Sequence, residues 1–139
     1  MKFMKASVCI ILVLFLGSCN AVKQMPCENL ICTKDFRSIT VAFTDTNGEP
    51  LQVKNFKSIN LRTNQTLTSS NINPISSIKG VYLVATDEDL KDLSYEGDRI
   101  KISATHPTNG ALKEAEFVIS GGICNCHVSK ISGPEIITF

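Results

Sequence analysis

Arg37-Ser-Ile-Thr-Val-Ala-Phe-Thr44 sets Ile39, Val41 and Phe43 on one side and Thr40, Ala42 and Thr44 on the other, the two-residue period of a half-buried strand. No stretch sustains the 3.6-residue apolar period of a helix, so this alternation constrains the fold most. Asp45-Thr-Asn-Gly-Glu-Pro50 joins an Asx residue, an Asn-Gly pair suited to positive φ and a proline, which predicts a chain reversal and a hairpin. Leu51, Val53 and Phe56 to Leu61 are expected to carry the return. Gly80 to Thr86 reads as a near-continuous apolar strand, Arg99 to Ala104 alternates again, and Ala111 to Ser120 and Glu135 to Phe139 complete the set. Residues 63–79, rich in Thr, Ser and Asn, read as a long loop with room for one edge strand, and Asp87 to Leu93 as one helical turn. About seven short strands in ~110 residues predict an all-β sandwich rather than parallel βαβ units.

The chain begins with Lys2 and Lys5, an apolar core from Ser7 to Phe15, and Leu16-Gly17-Ser18-Cys19. This resembles a bacterial lipoprotein signal. The resemblance implies cleavage before Cys19, a diacylglyceryl group on its thiol and a further acyl chain, such as palmitate, on its amine. Two or more chains make a stable anchor where one does not. Residues 1–18 are then a signal peptide, 19–26 the lipidated cysteine and a short tether, and 27–139 one domain. The apolar core is too short for a lasting transmembrane helix, which disfavours an uncleaved anchor. Asn20 is not the aspartate that retains enteric lipoproteins at the inner membrane, and Ala21-Val22-Lys23-Gln24 lacks an acidic export stretch. The periplasmic face of the outer membrane is the expected location, with membrane lipid engaged through acylated Cys19. Without Lys2 and Lys5 the remaining 12 basic and 13 acidic residues give a net charge of −1. A nucleic-acid partner, which favours a basic face, is not expected.

Of six cysteines, Cys9 leaves with the signal and Cys19 carries lipid, so Cys27, Cys32, Cys124 and Cys126 remain. An even number in an exported chain favours disulfides. In an extended strand Cys124 and Cys126 would stand ~6.7 Å apart, at the limit for a bridge, so each is expected to pair with Cys27 or Cys32. The same four sulfurs with His127 could instead hold a metal or perform thiol redox chemistry. Against this, Cys-x4-Cys with Cys-x-Cys lacks the usual zinc spacing, and Cys124-Asn-Cys126-His127 is one residue short of a c-type haem attachment.

Ile39-Thr-Val-Ala-Phe-Thr-Asp-Thr-Asn-Gly-Glu-Pro-Leu51 followed by Gly80-Val-Tyr-Leu-Val-Ala-Thr86 resembles the carboxypeptidase regulatory-like and transthyretin-like sandwiches, which open with a strand, an Asp-x-x-Gly-x-Pro turn and a second strand and later present a Gly-x-Tyr strand. The match covers residues 37–120 and lacks the family's central hairpin between residues 62 and 79. It implies a single Ig-like or prealbumin-like antiparallel β-sandwich of about seven strands with disulfide-linked termini. It also implies a first strand parallel to a late one, which favours Cys27 with Cys124 and Cys32 with Cys126. The tail Gly121 to Pro134 resembles small lipoproteins of unknown function from Bacteroidetes-like bacteria. Such folds host unrelated functions, so no activity transfers.

Catalytic residues are not expected. His106, before Pro107, reads as an exposed turn residue and His127 as facing solvent or a backbone carbonyl, and no nucleophile motif accompanies either. Asp87-Glu88-Asp89 with Asp92, Glu96 and Asp98 lacks the spacing of a calcium loop and reads as a solvated loop. The expected function is a non-catalytic, membrane-anchored envelope module, structural or binding, for an envelope protein or a glycan, with no cofactor.

Overall fold

The structure, a computed structural model, describes Cys27, residues 30–69 and residues 78–139. The expected signal peptide, Cys19 and the tether to residue 26 lie outside the described residues, as do positions 70–77 of the long loop. Eight strands are described: β1 (Ser38–Thr44), β2 (Lys54–Asn60), β3 (Gln65–Thr66), β4 (Val81–Thr86), β5 (Asp98–Thr105), β6 (Leu112–Ser120), β7 (Ser129–Ser132) and β8 (Ile136–Thr138). The expected helical turn is a 3-10 segment, Asp87–Asp92, opened by a capping box on Thr86.

The strands form two sheets, ordered β4-β1-β8 and β3-β2-β5-β6-β7. Ile39, Val41 and Phe43 of β1 are buried as their spacing predicts, and they pool with Val84 of β4, Ile100 and Ile102 of β5, and Phe117 and Ile119 of β6 in one core. Phe43 is its aromatic centre, edge-on to Tyr82 at 5.5 Å and to Phe56 at 6.1 Å between ring centroids. The buried Tyr82 hydroxyl donates to the Val53 carbonyl at 3.0 Å.

The expected hairpin is corrected. The turn forms, with Asp45 Oδ1 accepting from the N–H of Asn47 at 2.8 Å and of Glu49 at 2.9 Å. However, β2 crosses to the other sheet and pairs with β5, because β4 and β8 already occupy both edges of β1. Nor is the pairing wholly antiparallel: β8 runs parallel to β1, a partner separated by nearly the whole domain, as parallel pairing requires a long connection. β2 also has a phase its apolar residues do not predict. Asn55 at φ 52° accompanies a register shift between Lys54 and Lys57, after which Ser58 and Asn60 point inward. Ser58 Oγ is satisfied by donating to the Val84 carbonyl at 2.7 Å. β7, whose Ser-Lys-Ile-Ser has one apolar residue and therefore no alternation, is an edge strand added to β6.

Candidate functional site at the disulfide-clamped end

Four loops meet where the described chain begins: residues 30–37, 61–64, 87–97 and 121–128. Cys27 is bridged to Cys124 and Cys32 to Cys126, each with Cα atoms 5.2 Å apart. Residues 121–126 are not the extended strand assumed from sequence. Asn125 N–H donates to the Gly122 carbonyl at 3.0 Å and its side-chain amide to the Gly121 carbonyl at 2.6 Å, which curls the segment. This loop lies tightly on the preceding one: Gly121 N–H donates to the Ser94 carbonyl at 2.9 Å and Gly122 N–H to the Leu90 carbonyl at 2.6 Å. A side chain at Gly121 would meet Leu93 Cβ at 2.7 Å, so the close approach needs glycine.

Bridged sulfurs are not thiolate ligands, and among the described residues no group of three or more His, Cys, Asp and Glu side chains is placed to hold a metal ion. His127 neither faces solvent freely nor meets a carbonyl. Its Nδ1 is 2.7 Å from Asp87 Oδ2 and its Nε2 is 3.0 Å from Thr33 Oγ1. With Asp87 ionised, the Nδ1–H tautomer donates to it, which leaves Nε2 to accept from the Thr33 hydroxyl. Asp87 also accepts from Arg37 N–H and Val128 N–H, both at 2.9 Å. Burial pushes its carboxyl up, but these N–H donors and the His127 ring outweigh it and hold the pKa below the usual carboxylate range. His106 lies in the expected turn, where its Nδ1 accepts from Thr108 N–H at 3.2 Å.

The acidic run is solvated only in part: Glu88, Asp92 and Glu96 are exposed, whereas Asp89 and Asp98 are buried. Asp89 is fully buried, accepting from Thr68 N–H at 2.7 Å and Thr86 N–H at 3.0 Å. Asp98 accepts from Asn60 Nδ2 at 2.7 Å, Ser94 N–H at 3.1 Å and the Arg62 guanidinium at 2.7 and 2.8 Å. Burial pushes Asp98 up, yet these donors bring its pKa down to about 2. Arg62 Nη2 also donates to the Asp92 carbonyl at 2.9 Å, so this network fixes residues 92–98 against the 61–64 loop.

Between these loops is an open hollow of about 760 Å³, walled by the Cys27–Cys124 bridge, Leu30, Leu93, Tyr95 and Ile123, with Arg62 and Lys91 as its basic side chains. Leu30, Tyr95 and Ile123 remain 46%, 67% and 60% exposed, an apolar patch in place of the polar surface expected of loops. Thr33, Asp87 and the hollow escape sequence reasoning because Thr33 and His127 are 94 positions apart and Asp87 and His127 are 40 apart, with no motif joining them. No family model, characterised protein or solved structure matches the chain.

Proposed function

We propose that the protein is a lipid-anchored module of the bacterial cell envelope, acylated at Cys19, that holds a disulfide-clamped Ig-like or transthyretin-like sandwich at the membrane as a structural or binding element for an envelope protein or a glycan. The observation that carries this reading is the pair of bridges joining residues 27 and 32 to 124 and 126. Such bridges persist in an oxidising compartment, as an exported chain meets, and they staple the segment that follows the anchor to the body of the protein. The two sheets and the parallel pairing of β1 with β8 support the sandwich. The test is metabolic labelling of the full chain with palmitate, followed by membrane fractionation and in-cell crosslinking. Label lost on Cys19→Ala, outer-membrane recovery and a discrete crosslinked partner are expected. An unlabelled chain recovered free of membrane overturns the anchor.

A second reading, acyl transfer at Thr33, is favoured by the continuous contact from Asp87 through His127 to Thr33 Oγ1. There the Thr33 hydroxyl proton would pass to His127 Nε2 as Oγ1 adds to an ester carbonyl. That proton would leave with the alcohol, and water would hydrolyse the acyl-threonine. None of the three residues lines the hollow, which ranks this reading second. Fluorophosphonate labelling decides it: a label on Thr33 that His127→Ala abolishes would establish the nucleophile, and an unlabelled Thr33 would remove it.

A further inference from the structure

We infer that the hollow at the disulfide-clamped end is a membrane-contacting surface that sits against anionic phospholipid, which rests on the anchored reading above and adds which face of the protein meets the bilayer. From Asn20 to Pro26 seven residues separate Cys19 from Cys27. They reach at most ~25 Å fully extended, less than the ~35 Å diameter of a domain this size. The end that contains Cys27 is therefore the end held nearest the lipid, and Cys27 lies in the wall of the hollow.

Leu30, Tyr95 and Ile123 expose apolar surface around the hollow, and Tyr95 adds a polar tip to an apolar ring, the amphipathic form that prefers the headgroup boundary. Among the described residues, no acidic side chain lines the hollow. Arg62 is neutralised by Asp98, so Lys91 supplies the positive charge of the wall, on a stem long enough to reach a phosphate. An apolar surface with a lysine at its edge fits a peripheral lipid contact. The bridges and the Asp98 network hold this surface rigid, so contact with lipid costs little ordering.

The chain has no tryptophan, so Ile123→Trp gives a single emitter inside the surface, and Leu112→Trp, at a position equally exposed but outside the hollow, is its control. Each would be held on vesicles of phosphatidylglycerol and phosphatidylethanolamine in two forms: the acylated full chain, and a chain with hexahistidine in place of residues 1–19 captured by nickel-chelating lipid. Emission at residue 123 is expected to move to shorter wavelength and to be quenched by brominated lipid, with residue 112 unchanged. On vesicles without nickel-chelating lipid, Lys91→Glu should weaken binding of the hexahistidine form about tenfold, an effect absent on phosphatidylcholine. Emission at residue 123 that stays as in buffer while the protein is held on the vesicle overturns the inference, as does an equal shift at both positions. Failure of the anchored reading is seen separately, as an absence of palmitate on the full chain, because the nickel-held form tests the surface without acylation.

Discussion

His127 Nδ1 lies 2.7 Å from Asp87 Oδ2, and this contact links the loop after the last bridge to the first turn after β4. The same carboxylate takes the N–H of Arg37 and of Val128, so one side chain gathers three segments of chain. Asp87→Ala leaves both N–H groups unpaired and should cost about 2–3 kcal/mol, whereas His127→Ala removes one partly buried charge-assisted bond and should cost about 1–2 kcal/mol. Urea unfolding measures both. Amide exchange should accelerate at Arg37 and Val128 in the Asp87 variant and much less in the His127 variant. Equal and negligible losses would mean that the bridges alone hold these segments.

Acid sensitivity follows from Asp98. Its folded pKa of about 2 lies below the ordinary carboxylate value, so the stability it contributes is complete above pH ~4 and is lost as pH falls toward 2. The difference is worth about 2 kcal/mol for a side chain this buried. Asp87, also depressed, adds to the same loss in the same direction. Thermal unfolding between pH 7 and 2 should show a melting temperature that declines below pH 4. Asp98→Asn should flatten that decline while lowering the melting temperature at pH 7, since Arg62 keeps its charge beside a neutral amide. An unaltered acid slope in the variant would sink this account.

The two bridges close nearly coincident loops, with partners 97 and 94 residues apart. The first bridge constrains the unfolded chain by about 3–5 kcal/mol, and the second adds much less because the ends are already near. Replacing Cys32 and Cys126 by Ser, or Cys27 and Cys124 by Ser, should therefore lower stability modestly. Removing all four cysteines should lower it by more than the sum of the two double replacements. Denaturant midpoints of the three variants, with thiol counts on each, measure this, and strict additivity would contradict it.

What sequence conveyed about this fold depends on whether a residue's inward partner was apolar. Ile39, Val41 and Phe43, and Ile100, Ile102 and Ala104, are inside as their alternation predicts, because burial of apolar surface sets strand phase. The phase of β2 was not legible: Asn55 inserts a bulge, and the buried Ser58 and Asn60 are satisfied by the Val84 carbonyl and Asp98. Their partners are 26 and 38 positions away, beyond any local pattern. The site was illegible for a similar reason. Cys124 and His127 drew attention by residue type, but Thr33, Asp87, Tyr95 and Ile123 acquire a role only when four loops converge.

Gly121 is where that convergence is tightest. A Cβ there would stand 2.7 Å from Leu93 Cβ and 2.9 Å from the Leu90 carbonyl oxygen, the second a backbone atom that cannot rotate away. Its backbone does not require positive φ, so the cost of Gly121→Ala is steric alone, about 1–3 kcal/mol of overpacking. Gly48 provides the opposite case, with open space around it and a φ of 83°, so Gly48→Ala should cost about 1 kcal/mol from backbone strain without moving the site. Both variants should melt at lower temperature, but only Gly121→Ala should part the 87–97 and 121–126 loops. Tyrosine near-ultraviolet dichroism, sensitive to Tyr95 beside Gly122, reads that difference. A Gly121→Ala protein with unchanged melting and an unchanged tyrosine signal would mean that these loops slide freely, and the rigid wall argued for the hollow would fall with it.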